Sequence, residues 1–291
     1  MDRGETMSEQ AGAPTRIAGP REPVEGGTPP VIDAAFARWL ADRAGQALLQ
    51  VREDLGYADA DALKAAGDKA AHDLLRTELA RWRPADAVLS EEDDHSRLAW
   101  QEDRHDAVRP DRLDASRVWI IDPLDGTREF SEVPRDDWAV HVALWEDGRL
   151  VAGAVAQPGL DTTFSTADVP RVSAFSATRP RVVASRTRPP AFVEALAEAM
   201  DAELVPMGSA GAKVMAIVRD VADAYVHAGG QYEWDSAAPV VVARAAGLHT
   251  SRIDGGPLVY NQDDVSLPDL IVCRPELSEE ILAFVRRHGT A

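Results

Sequence analysis

Two aspartates three residues apart, Asp122 and Asp125, close the apolar run Trp119-Ile120-Ile121, and Gly126-Thr127 follows at once. Pro123 stiffens the turn between them, so both carboxylates can face one point. Carboxylate oxygens are what hard cations bind, and Mg2+ keeps several waters of its octahedral shell for chemistry. On this reading Asp122 bridges two cations, Asp125 holds one of them, and the Leu124 carbonyl offers another oxygen. If Gly126 and Thr127 open a helix, their backbone N–H groups point at an anion such as phosphate. The same stretch has a plainer description, an Asp-Pro turn followed by a helix cap, where Asp, Gly and Thr are common anyway. Two aspartates flanking a proline do not separate these descriptions.

Other acids decide the matter. Glu91 sits in Ser90-Glu91-Glu92-Asp93-Asp94, directly after the short strand pattern Ala87-Val88-Leu89. Asp235 follows Trp234, and Asp68 follows Gly67. Taken singly, the first run reads as a solvated turn and the other two as helix N-caps. Taken with Asp122 and Asp125, they form the carboxylate set of a multi-Mg2+ phosphatase. Two cations about 3.5–4 Å apart can acidify a water and stabilise the leaving oxygen of an in-line displacement.

The elements that must position these acids follow from periodicity. Phe36, Leu40, Ala44, Leu48, Val51 and Leu55 recur at helical spacing, with Asp33 as N-cap and Gly56 as the stop. Ala71, Leu74, Leu75, Leu79 and Trp82 mark a second helix that starts at Gly67-Asp68 and stops before Pro84. Trp138 to Trp145, the turn Asp147-Gly148 and Leu150 to Ala156 read as a hairpin, with Phe164 in a third strand. His141, inside this pattern, reads as a structural histidine rather than a ligand. From Arg181 onward short strands (Val182 to Ser185, Leu204-Val205, Ala224 to Val226, Asp269 to Cys273) alternate with helices. One helix is marked by Phe192, Leu196 and Met200, one contains Lys213 behind Gly208-Ser209-Ala210-Gly211, and one opens at Glu233-Trp234-Asp235. Helices before antiparallel strands, then an α/β second half, give an α+β fold. The expected organisation is a disordered tail over 1–29, a metal-binding subdomain over 30–176 and an α/β subdomain over 177–291. Residues 95–116 are polar and aperiodic and read as a surface excursion.

A chain of 291 residues carrying a net charge of −18 lacks the basic footprint that duplex nucleic acid or an anionic membrane needs. A small anionic substrate remains compatible if cations and a few local basic groups offset the field. Lys64, Lys69 and Lys213 are the only lysines and Cys273 the only cysteine, so no intramolecular disulfide forms. Cys273 lies in an apolar strand pattern and reads as core. With no secretory h-region and no long apolar run, the expected compartment is the cytoplasm.

The residues also carry a resemblance. Asp122-Pro123-Leu124-Asp125-Gly126-Thr127 resembles the D-P-(I/L)-D-G-T signature of the lithium-sensitive, Mg2+-dependent inositol monophosphatase superfamily. Glu91-Glu92 is similar to its upstream acidic pair, and Trp234-Asp235-Ser236-Ala237-Ala238 to its C-terminal W-D-x-A-A motif. The runs Leu124 to Phe130 and Gly208 to Lys213 look most like the 3'(2'),5'-bisphosphate nucleotidases. Arg135 to Trp138 and Ala228 to Asp235 resemble their actinobacterial CysQ-type branch. The likeness spans roughly residues 35–285 in the right order. It implies a layered αβαβα fold.

The resemblance also implies roles. Glu91, Asp122 and the Leu124 carbonyl hold the activating Mg2+, and Asp122, Asp125 and Asp235 hold a second. Thr127, oriented by Asp68, positions the attacking water with Glu91 as base, and Gly126 and Thr127 N–H groups bind the scissile phosphate. Arg186, Arg188, Ser209 and Lys213 match the region where nucleotidases contact the rest of the substrate, or are ordinary surface charge. Two departures stand out. Only the end of the family's K-x-D-x-S-P-V-T-x-A-D run survives at Leu63 to Asp68, which implies a shortened lid loop. His227 replaces an Arg in Tyr225-Val226-His227. The implied reaction removes the 3'-phosphate of adenosine 3',5'-bisphosphate, clearing a by-product of sulfate assimilation. The alternatives are an inositol-1-phosphate or fructose-1,6-bisphosphate phosphatase, and a non-catalytic sensor of a phosphorylated ligand. A homodimer is compatible with the pattern.

Overall fold

The computed structural model describes residues 28–93, 112–187 and 189–289. The readings of residues 1–27 as a disordered tail, of Asp94 and 95–111 as acidic turn and surface excursion, and of Arg188 as a contact residue lie outside the described residues.

Helices α1 (Asp33–Leu55) and α2 (Ala60–Trp82) come first, then strands β1 (Ala87–Ser90) and β2 (Arg117–Asp125), the one-turn helix α3 (Thr127–Phe130), and strands β3 (Ala139–Glu146), β4 (Arg149–Gln157) and β5 (Thr162–Ser165). The second half runs β6 (Arg181–Ser185), α4 (Ala191–Ala199), β7 (Glu203–Met207), α5 (Ala210–Val218), β8 (Ala224–Ala228), α6 (Glu233–Ala245), β9 (His249–Ser251), β10 (Asp269–Cys273) and α7 (Pro275–His288). The first sheet has the order β1-β2-β3-β4-β5, the second β7-β6-β8-β10-β9. The first is antiparallel except for the parallel β1–β2 pair, so both these strands end at the same edge.

Strand alternation assigns the layers, since successive side chains point to opposite faces. Trp119, Ile121, Val140, Val142 and Leu144 pack on α1 and α2 through Phe36, Leu40, Leu48 and Leu75. Val118, Ile120, Ala139 and Ala143 face the other way, against Val214, Ile217, Trp234 and Val240 of α5 and α6. Tyr225, Leu270 and Val272 of the second sheet close that layer. Val182, Val226 and Ile271 turn outward onto Phe192, Leu196, Ile281 and Phe284 of α4 and α7. The result is an α+β fold in five αβαβα layers.

Three local expectations are corrected. Ile32, not Asp33, occupies the N-cap position of α1, and the Asp33 carboxylate instead accepts from Arg83 and Arg117. The second helix begins at Ala60, before the Gly67-Asp68 start expected from the sequence, and is capped by Asp59, which accepts from the Ala62 N–H at 3.0 Å. Gly67 and Asp68 therefore lie within α2 and not at its start. Gly67 is there for packing: a Cβ would sit 2.7 Å from Phe130 Cε1. The shortened run Leu63 to Asp68 is thus continuous helix. Asp235 is the third residue of α6 and not its N-cap, although its Oδ2 accepts from the Tyr232 N–H at 2.7 Å.

Candidate active site

The site forms where the ends of β1 and β2 meet the N-termini of α5 and α6. Glu91 follows β1 directly, its N–H on the Ile121 carbonyl at 3.3 Å. In β2 the register against β3 slips between Asp122 and Asp125. This irregularity turns Pro123-Leu124 out of the ladder. The Leu124 N–H donates back to Asp122 Oδ1 at 3.0 Å, and the Leu124 carbonyl accepts from the Thr127 hydroxyl at 3.1 Å. Gly126 caps α3 at φ 85°, a left-handed conformation that favours glycine, with Ser209 Cβ 3.0 Å from any added Cβ.

Asp125 reaches across to the second half. Its Oδ2 accepts from the Ser209 hydroxyl at 2.5 Å and the Gly211 N–H at 2.6 Å, and its Oδ1 from the Ala210 N–H at 3.1 Å. The N-terminus of α5 thus holds a carboxylate from the first sheet, where the helix dipole favours negative charge. His141, in register opposite Asp122, is fully buried, with Nδ1 3.0 Å from the Trp234 carbonyl and Nε2 3.2 Å from Asp125 Oδ2.

The electrostatics separate these acids. Burial, then the His141 and Ser209 partners and the Gly211 N–H, act on Asp125; the partners outweigh burial and bring its carboxyl down to about 2. Burial and the charges of Glu91, Asp125 and Asp235 push Asp122 well above the usual carboxylate range. Burial, then Asp125, lifts Asp235 to about 7. Glu91 reaches about 7 through burial, helped by Asp125 and Glu92 and opposed by its hydrogen bond with Asp122. Burial and Glu92 lift Asp68 to about 7. Among the described residues, none of Glu91, Asp122 and Asp235 forms an ion pair with Arg or Lys. Crowded around the buried Asp122, oxygen-only and unpaired with any described arginine or lysine, this set fits divalent cations, whose charge would reverse the mutual repulsion. The ligand atoms of Asp122, Asp125 and His141 lie within 4.8 Å of one another.

Other expected residues are placed differently. No hydrogen bond joins Asp68 to Thr127 among the described residues; the Thr127 hydroxyl is on Leu124. Ser209 donates its single proton to Asp125 and accepts from the Ala212 N–H at 3.0 Å, so it caps α5 and holds Asp125. Arg186 is bound by Glu129 and Glu132 at 2.6 and 2.7 Å. Lys213 is buried, with Nζ 3.2 Å from the Ser209 carbonyl and 5.4 Å from the Tyr225 ring centre. Burial lowers its pKa against the pull of Asp125, Glu129, Asp137 and Asp235. His141 and Asp137, which accepts from the Gly208 N–H at 2.6 Å, are the neighbours that sequence reasoning did not assign to the site. His141 would have been found only by knowing the β2–β3 register.

This layered fold and its acid-lined edge define a class. The chain belongs to the inositol monophosphatase family, whose model matches residues 32–290. It is 46% identical over 268 residues to the 3'-phosphoadenosine 5'-phosphate phosphatase of Mycobacterium leprae, covering 88% of this chain and 94% of that protein. It is 31% identical over 239 residues to the 3'(2'),5'-bisphosphate nucleotidase CysQ of Escherichia coli, covering 76% of this chain and 91% of the relative. The solved structure of CysQ from Bacteroides thetaiotaomicron superposes with a TM-score of 0.67 at 24% identity, covering 83% of this chain and 97% of that one. Mycobacterium tuberculosis SuhB gives 0.66 at 22% identity, over 88% and 96% of the two chains. At these identities the two structures speak for the fold. Among the described residues, no helix is long and apolar enough to cross a membrane.

Proposed function

We propose that this protein is a Mg2+-dependent phosphoric monoester hydrolase that converts adenosine 3',5'-bisphosphate to AMP and inorganic phosphate. The observation that carries this is the set of buried Asp122 with half-buried Glu91 and Asp235, unpaired with any described Arg or Lys, in a chain 46% identical to a 3'-phosphoadenosine 5'-phosphate phosphatase. Glu91, Asp122 and the Leu124 carbonyl would hold one cation, and Asp122, Asp125 and Asp235 a second. Such cations, when bound, acidify a water and offset charge on the phosphoryl oxygens.

The chain supplies the rest. The Gly126 and Thr127 N–H groups receive the scissile phosphate. The Thr127 hydroxyl orients the attacking water, and Glu91 takes its proton. No side chain is phosphorylated on this route. Lys213 faces the second phosphate, and Arg186, held by Glu129 and Glu132, contributes to the same contact. Li+ is an inhibitor on this reading, and the single buried thiol, Cys273, suits a reducing cytoplasm.

The test offers purified protein with Mg2+ the bisphosphate nucleotide, inositol-1-phosphate and fructose-1,6-bisphosphate, and compares kcat/KM. The nucleotide is expected to lead. Preference for either of the other esters overturns the nucleotidase assignment, and turnover of none supports a phospho-ligand sensor.

A further inference from the structure

A one-turn helix depends on its surroundings for its shape. In α3 the Phe130 N–H bonds to the Gly126 carbonyl at 2.9 Å, which closes the turn behind Gly126-Thr127. On its other side Gly126 packs against the backbone that leads into β3. A Cβ added there would meet the Asp137 carbonyl and Trp138 Cα at 3.3 Å. Arg52, in the last turn of α1, binds both neighbours of this corner. Its Nε donates to the Phe130 carbonyl at 2.8 Å. Its Nη2 donates to the Arg135 carbonyl at 3.2 Å, with the Glu132 and Glu129 carbonyls at 3.4 and 3.5 Å. Carbonyls at a helix end have no partner inside the helix, and a planar fork of donors can serve several at once. Cζ also lies 5.1 Å from the Phe130 ring centre and 4.9 Å from that of Trp138, two fully buried rings that meet edge-on at 5.1 Å. Among the described residues Arg52 forms no ion pair with a carboxylate. Its hydrogen bonds go to the backbone around the Gly126-Thr127 corner.

We propose that Arg52 is a positioning residue for the phosphate-receiving corner. From α1 it ties α3 to the segment before β3, and so fixes where Gly126 and Thr127 point. The inference rests on the reading that these two residues meet the scissile phosphate. Arg52 itself touches no reacting atom; it acts through the Phe130 and Arg135 carbonyls. Gly67 of α2 packs on the same Phe130 ring but brings no donor to those carbonyls. Lysine is no substitute, because a compact ammonium neither reaches both segments as a fork nor stacks on the rings. The leverage is geometric: a displacement of about 1 Å at a reacting group costs about a hundredfold in rate.

The test compares full-length wild type with Arg52→Met, which keeps an apolar stem against the rings but donates nothing. Turnover of the bisphosphate nucleotide with Mg2+ is expected to fall about a hundredfold, mainly in kcat. Mg2+ affinity is expected to stay the same, since Arg52 contacts none of the acids that hold the cation. Hydrogen exchange at the Phe130 amide is expected to quicken, because the α3 turn loosens locally. In Arg52→Ala, guanidinium ion at concentrations too low to unfold the protein is expected to restore part of kcat, while uncharged urea restores none. A merely structural role would lower Tm and leave kcat per folded molecule unchanged. Unchanged kcat in the folded variant, or a loss of kcat with neither faster Phe130 exchange nor guanidinium rescue, overturns the proposal. If Arg52→Met does not fold, Arg52→Lys carries the same comparison, with a loss of about tenfold expected. A wild type that turns over no phosphate ester overturns the phosphatase reading instead, and Phe130 exchange in the variant still decides whether Arg52 holds α3.

Discussion

Two buried acidic regions of this molecule behave in opposite ways. At the second sheet, Asp223 is held by Arg181 at 3.0 Å and Arg274 at 2.8 Å, and Asp220 by Arg274 at 2.5 Å. Burial works against both carboxylates, but these partners and the Ser173 hydroxyl hold them below the usual range. At the edge of the first sheet, Asp122 is as little exposed as Asp223, each 1%, and pairs with no arginine among the described residues. Its pKa moves up, as do those of Glu91 and Asp235. Solvent exposure is equal; Asp122 lies deeper, and the partners differ. A buried acid with a guanidinium is complete in the protein alone, while one without it waits for a cation from outside.

Four experiments break or sharpen that contrast. Asp122→Asn is expected to cut kcat by more than about a thousandfold, because its bridging charge has no substitute, with circular dichroism unchanged. Near-normal turnover would remove Asp122 from the cation site. Asp223→Ala is expected to cost about 3–5 kcal/mol in urea unfolding, since it strands two arginines, one of them buried. Activity per folded molecule should hold. Gly67→Ala is expected to cost about 1–3 kcal/mol, by displacing Phe130, and to slow turnover, because α3 also carries Thr127.

The smallest effect is a pH linkage. Asp68, Glu91 and Asp235 titrate near 7 in the folded chain and near 4 when unfolded, so the cation-free fold binds their protons more tightly. Stability from these groups is present at low pH and declines as pH rises from about 4 through about 7. Asp220 and Asp223, shifted down, act oppositely: their contribution is present above the unfolded value and lost as pH falls through the folded one. Mg2+ should therefore raise Tm more at about pH 8 than at about pH 5. An equal rise at both would mean that these carboxylates do not meet the cation.

Much of the architecture was legible in the chain. Periodicity located α1, the hairpin β3–β4 and the alternating second half, because burial on one face writes a spacing into the residues. The start of α2 was misread, since Gly67 looks like a breaker until Phe130 is seen against it. β9 and α7 went unassigned.

The candidate site divides along the same line. Sequence alone determined which groups could do chemistry: Asp122, Leu124, Asp125, Gly126 and Thr127 are set by a short stretch whose geometry is local. It also marked Glu91 and Asp235 as acids beside buried elements. Tertiary structure alone decided their partners. Ser209 meets Asp125 across 84 residues of chain, and Arg186 meets Glu129 across 57. His141 became part of the site only through the pairing of β2 with β3. Spacing along a chain encodes which face a residue occupies, whereas the neighbour it meets depends on strand register and layer packing, which involve residues far away in sequence.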